Sequence, residues 1–215
     1  MEIPEKQKVR MLSELAEANR MLAGIENLVS GQKPFCCMVT SAAWGEGKTT
    51  LTAGLGLIAA RSADNRVLAV DMNWYSPGLH RCFGLTPEWD LKAYCQDRNL
   101  ETVIRPSGAA NLDILTAPAS GVDADCPSSE SSGVAQGILK QAREAYDVIL
   151  VDTASVFPTN RRMVDPVVLG NASDAVILVV LAGVTPRQQV MRVRVMLEGS
   201  GAGVAGVVVN HWKSG

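Results

Sequence analysis

Residues Val39-Thr40-Ser41-Ala42-Ala43-Trp44-Gly45-Glu46-Gly47-Lys48-Thr49-Thr50 constrain this chain more than any other stretch. The apolar run 35–39 reads as a buried strand, and 50–60 reads as the helix that follows it. Between them a turn ends Gly45-Glu46-Gly47-Lys48-Thr49. Strand, glycine-rich turn, Gly-Lys-Thr and helix together form the layout of a phosphate-binding loop. Glycines let main-chain N–H groups close around phosphate oxygens, and the helix N-terminus adds a favourable dipole. In such a loop Lys48 reaches the β- and γ-phosphates and the Thr49 hydroxyl holds Mg²⁺. Trp44, Gly45, Glu46, Gly47, Lys48, Thr49 and Thr50 are therefore the candidate nucleotide-binding residues, with a nucleoside triphosphate and Mg²⁺ as the expected ligands. The full pattern asks for glycine where Ala42 stands.

Two further runs end in a carboxylate. Val67-Leu68-Ala69-Val70-Asp71 and Val148-Ile149-Leu150-Val151-Asp152 read as buried parallel strands with an aspartate at the C-terminal edge. That edge is where ligands bind in open α/β sheets. The carboxylate of the second run is the expected partner of a phosphate-binding loop, holding Mg²⁺ through water. Lys48, Asp71 and Asp152 are the candidate catalytic residues; Thr49, Asp71 and Asp152 are the candidate metal ligands.

Around these runs the pattern predicts further strands at 112–116, 175–181 and 204–210. It predicts helices at 134–145, 163–169 and 186–198, with shorter ones at 79–83, 87–97 and 100–104. Residues 117–132, rich in Pro, Ser, Asp and Gly, read as a loop. Alternating strands and helices at this spacing predict an α/β fold with a mostly parallel sheet covered by helices on both faces. Met11, Leu15, Ala18, Leu22, Ile25 and Val29 predict one amphipathic helix over 8–29, packed on its own domain or serving as a subunit contact. Residues 1–33 are thus an N-terminal helix and linker, and 34–215 the nucleotide-binding domain.

A net charge of −2 over 215 residues points away from nucleic acid as a partner. Five cysteines, an odd number that includes the apolar pair Cys36-Cys37, suit a reducing compartment. The first 30 residues are charged throughout and carry no visible signal peptide. The longest apolar run, 175–184, is far short of the roughly 20 residues that span a bilayer. A cytoplasmic location is expected. His80 and His211 lack ligand spacing, and Arg161-Arg162 read as solvated charge or, alternatively, as a reach to phosphate or a neighbouring subunit.

Over nearly its whole length the chain resembles the cytoplasmic domain of the bacterial tyrosine kinases (BY-kinases) that control capsule and exopolysaccharide synthesis, relatives of the MinD/ParA ATPases. Ser41 to Thr50 is similar to that family's variant Walker A, and Val67 to Asp71, followed by Pro77 to Leu85, to its Walker A′ strand and sequel. Tyr146 to Thr153 is similar to its Walker B. Glu17-Ala18-Asn19-Arg20-Met21-Leu22 resembles the E-x-x-R-x-x-R helix used for ring-forming subunit contacts, and Gly206 to Asn210 the strand whose terminal Asn contacts adenine. The signature lysine of MinD/ParA proteins falls at Ala43, which favours the kinase branch. The resemblance implies a P-loop NTPase fold and an adenine contact at Asn210. It also implies a homo-oligomer through the N-terminal helix, and a membrane-embedded polysaccharide chain-length regulator as partner. The protein would then sit peripherally at the inner face of the cell membrane.

The departures bear on activity. The family's D-x-D-x-R reads Asp71-Met72-Asn73-Trp74-Tyr75 here, Walker B is followed by Ala154-Ser155 in place of two prolines, and the second arginine of the N-terminal motif is Ala23. Asn73 accepts hydrogen bonds but cannot act as a general base. The tyrosines are Tyr75, Tyr94 and Tyr146, so autophosphorylation of a tyrosine-rich tail is not expected of this chain. The expected function is ATP·Mg²⁺ binding with phosphoryl transfer or weak hydrolysis. The alternatives are a catalytically impaired regulatory module of a polysaccharide co-polymerase, or a MinD/ParA-like ATPase.

Overall fold

The computed structural model describes residues 4–120, 128–158 and 163–211. Among them one seven-stranded sheet contains β1 (Phe35–Ser41), β2 (Val67–Asp71), β3 (Arg105–Pro106), β4 (Leu112–Leu115), β5 (Val148–Asp152), β6 (Ala175–Leu181) and β7 (Val204–Asn210). Their spatial order is β3-β4-β2-β5-β1-β6-β7. Every pairing is parallel except β3 with β4, a two-residue antiparallel edge too short to leave a mark in the hydrophobic pattern.

The central strands are apolar on both faces because helices cover both. Side chains alternate: Cys36 and Met38 of β1, Leu68 and Val70 of β2, and Ile149 and Val151 of β5 enter one core. Phe35, Cys37, Val39, Val67, Ala69, Val148 and Leu150 enter the other. Helices α6 (Ser128–Ala145), α7 (Pro166–Asn171) and α8 (Arg187–Gly199) close the first core with Ile138, Leu139, Leu169, Val193 and Leu197. The second is closed by α1 (Glu5–Glu14), α2 (Ala16–Leu28), α3 (Lys48–Ala59) and α4 (Leu79–Phe83). A short α5 (Leu91–Asp97) lies between α4 and β3 in the chain.

The single helix expected over 8–29 is two. Leu15 is extended (φ −74°, ψ 134°), ending α1 and starting α2, and the Asn19 side chain donates to its carbonyl at 3.0 Å. The break lets both pieces lie on α3, with Val9 on one side of it and Ala18, Leu22 and Ile25 on the other. Met11 and Leu15, expected in the apolar stripe, are exposed as a result. Other ends moved by a few residues. The Asp90 carboxylate caps α5 by accepting from Ala93 N at 2.8 Å, so that helix starts at Leu91 and not at 87. Asp165 caps α7 ahead of Pro166, the first-turn position where a missing N–H costs nothing. The run 100–104 is a 3₁₀ turn, Leu100–Thr102. Helix α6 begins at Ser128, inside the expected loop 117–132, of which 121–127 lie outside the described residues.

Candidate functional site

Because β1, β2, β5 and β6 run parallel, their carboxyl ends share one edge of the sheet, and the loop 42–47 caps that edge. Gly45 and Gly47 hold φ of 71° and 95°, a left-handed backbone that side chains resist. Gly47 also lacks room: a Cβ there would lie 2.5 Å from Asn210 Nδ2. Glu46 fastens the loop from within. Its buried carboxylate accepts from Ala43 N at 2.9 Å and from the Thr185 hydroxyl, which itself accepts from Leu181 N at 2.8 Å. Asn210 Nδ2 donates to the Glu46 carbonyl at 3.0 Å. The Glu46 side chain thus faces protein, which leaves its main chain to face a ligand.

Lys48 opens α3 with a buried side chain whose Nζ donates to Ser41 Oγ at 2.8 Å. Burial pulls its pKa below the ordinary lysine value, against the attraction of Asp152 and Glu46. Thr49 Oγ1 donates to Asp152 Oδ2 at 2.6 Å. Asp152 is fully buried, and its other oxygen, Oδ1, has no hydrogen-bond partner among the described residues. Burial first, and then the charge of Asp71 directly opposite in the strand register, push the Asp152 pKa up; the Thr49 hydroxyl and Lys48 act against that shift. Buried polar atoms are ordinarily paired, and an orphaned carboxylate oxygen beside a hydroxyl is a donor set of the kind Mg²⁺ takes. The residues present therefore fit a divalent cation held by Thr49 and Asp152.

Asp71 is enclosed as completely, but its oxygens are engaged. Oδ1 accepts from Asn73 N and Oδ2 from Gly78 N and Leu79 N, each at 3.0 Å. Those three N–H groups and Arg81 oppose the upward push of burial on its pKa. The carboxylate so ties down the loop between β2 and α4, which buried Trp74 anchors through Nε1 to the Asp71 carbonyl at 3.0 Å. Asn73 closes a turn in the same loop: its Nδ2 donates to Ser76 O at 2.7 Å, and its Oδ1 accepts from Ser76 N at 3.3 Å.

Trp44, Gly45, Gly47, Lys48, Thr49, Thr50 and Asn210 all line one cavity of about 1350 Å³, ample for a nucleoside triphosphate. Asp71 and Asp152 stand behind its wall, and Trp44 is 73 % exposed at the rim. Arg161-Arg162 lie outside the described residues. Three contributors escaped sequence reasoning: Ser41 as the Lys48 partner, Thr185 as the Glu46 partner, and Arg81 at the cavity wall. Ser41 and Arg81 lie within runs the sequence marks but without a role there, and Thr185 is brought in by the tertiary fold alone.

No family model matches the chain. It is 29 % identical over 178 residues to the tyrosine-protein kinase YwqD of Bacillus subtilis (strain 168), covering 82 % of this chain and 72 % of that one. The kinase domain of VpsO superposes with a TM-score of 0.79 at 26 % identity, over 97 % of this chain and 98 % of that one. The chain is thus similar in sequence and in fold to bacterial tyrosine kinases. The septum site-determining protein MinD from Pyrococcus horikoshii, complexed with Mg-ADP, shares the fold at a TM-score of 0.67 and 22 % identity, over 84 % of this chain and 72 % of that one. Here the P-loop lysine, threonine and strand-end Asp152 converge in space, while Asn73 and Tyr75, the departures from the kinase pattern, fall on one loop.

Proposed function

We propose that this chain binds ATP with Mg²⁺ in the P-loop cavity and works as a kinase-like protein of exopolysaccharide or capsule synthesis, with phosphoryl transfer or weak hydrolysis as its chemistry. The observation that carries the reading is the pairing of Thr49 Oγ1 with Asp152 Oδ2 while Asp152 Oδ1 is left without a partner, at the foot of a loop bearing Lys48. Lys48 and the main-chain N–H groups of 45–49 stabilise charge on the β- and γ-phosphates; Thr49 and Asp152 hold the metal. Mg²⁺ supplies charge neutralisation across the transferring phosphoryl group. Asp71 is the proposed proton acceptor, because burial raises its proton affinity towards the range a base needs near neutral pH.

Asn73 favours a second reading. Its carboxamide serves the Ser76 turn and brings no negative charge to the metal. A module whose nucleotide occupancy sets its docking on a membrane-embedded polysaccharide chain-length regulator needs binding without turnover. Exposed Met11, Leu15, Glu17 and Arg20 near the α1–α2 break support a homo-oligomeric contact through the N-terminal helices. No helix of the described residues is long and apolar enough to cross a membrane. We place the protein in the cytoplasm, at the inner face of the membrane through such a partner.

Calorimetry with ATP·Mg²⁺ tests the binding: Lys48→Ala should abolish it, and unchanged affinity removes the assignment. Phosphate release and phosphotyrosine formation in the wild type, compared with Asp71→Ala, separate enzyme from module. Equal traces leave the module alone.

A further inference from the structure

Lys48 is one ammonium group facing a triphosphate, and phosphoryl-transfer sites use additional cations on the terminal phosphate. Tyr75, neutral and exposed, supplies none from the loop after β2. Arg81 lies close by. It sits on α4, directly after the Gly78–Leu79 amides that Asp71 holds, and its side chain lines the same cavity as Lys48 and Thr49.

Gly78 shows how near it comes. The point where a Cβ would stand on Gly78 is 3.3 Å from the Arg81 guanidinium nitrogen Nη2 and 3.3 Å from Thr49 Oγ1. The guanidinium and the metal-binding hydroxyl flank one gap, close enough to contact the same phosphate group, and the missing side chain of Gly78 keeps the gap open. Arg81 is exposed, and among the described residues its guanidinium has no hydrogen-bond or ion-pair partner. Arg10, Arg143 and Arg194, by contrast, are paired with carboxylates. Its field also reaches Asp71, where it opposes the effect of burial.

Resting on the ATP reading above, we infer that Arg81 contacts the terminal phosphate of the bound triphosphate and is the second cation of the site. A planar guanidinium suits that role, since it gives two parallel donors to phosphate oxygens. Because the contact is to the terminal group, it discriminates ATP from ADP.

The test is calorimetric titration of the full chain with ATP and with ADP, each with Mg²⁺, for wild type, Arg81→Ala, Arg81→Lys and Arg105→Ala, a charge control on the far edge strand. Arg81→Ala should lose about tenfold or more in ATP affinity and less than about threefold in ADP affinity. Arg81→Lys should fall between, and Arg105→Ala should match wild type. Equal ATP affinity in wild type and Arg81→Ala, or a parallel loss for both nucleotides, overturns the inference while the ATP reading stands. Wild type that binds neither nucleotide overturns both.

Discussion

Asp152→Asn keeps the shape of the side chain and an oxygen for Thr49 but removes the charge. In the metal-free protein that charge is a liability: it is fully buried, faces Asp71 across the strand register, and leaves Oδ1 without a partner. The Asp152 pKa is raised from 3.8 to about 8 by burial and then by Asp71. Between those values the native state keeps a proton that the unfolded chain has released, so stability falls as pH rises across the window. The asparagine does not titrate, so its advantage is small near the acid end and largest near pH 8. An unsatisfied buried group costs about 1–3 kcal/mol, and each kcal/mol moves the midpoint of a domain this size by about 2–4 °C. The variant should therefore melt about 2–12 °C above wild type at pH 8 without ligand. The order reverses with ligand. ATP·Mg²⁺ at 100 times its Kd should stabilise wild type by about 2.7 kcal/mol, and the variant should lose the Mg²⁺-dependent part. Thermal unfolding followed by circular dichroism at pH 5 and pH 8, with and without ATP·Mg²⁺, reads both effects. A variant less stable than wild type at pH 8, or equally protected by ATP·Mg²⁺, refutes the assignment of Asp152 as a buried charge held for the metal.

Two further outcomes follow from the supports of the site. Glu46→Ala strips partners from Ala43 N and the Thr185 hydroxyl; it should cost about 1–3 kcal/mol in urea unfolding and weaken ATP binding, with Glu46→Gln retaining most of both. A Cβ on Gly54 would overlap Leu12 Cδ2, so Gly54→Ala should speed amide exchange in 5–14 while β1 and β5 stay protected.

What the chain reveals locally is considerable. Val67–Asp71 and Val148–Asp152 are strands over the residues their apolar runs mark, because a strand buried on both faces needs an unbroken run and little else. The phosphate-binding loop is legible for a similar reason: its glycines, lysine and threonine act within a few residues of one another. The break at Leu15 was hidden, since an apolar repeat reports which residues seek a core and not whether one straight cylinder can deliver them. Glu46 illustrates the same limit. Its type suits a solvated turn, yet its partner Thr185 is 139 residues away and becomes visible once β1 and β6 lie side by side.

Sequence alone placed most of the strands and helices, the glycine-lysine-threonine loop and the two strand-end aspartates, all of which depend on residues adjacent in the chain. Tertiary structure decided that β2 and β5 are neighbours in register, so that Asp71 faces Asp152, and that Gly78 brings Arg81 beside Thr49. Strand order and close approach are set by how two cores fill on either side of one sheet, a quantity that no short stretch of residues contains.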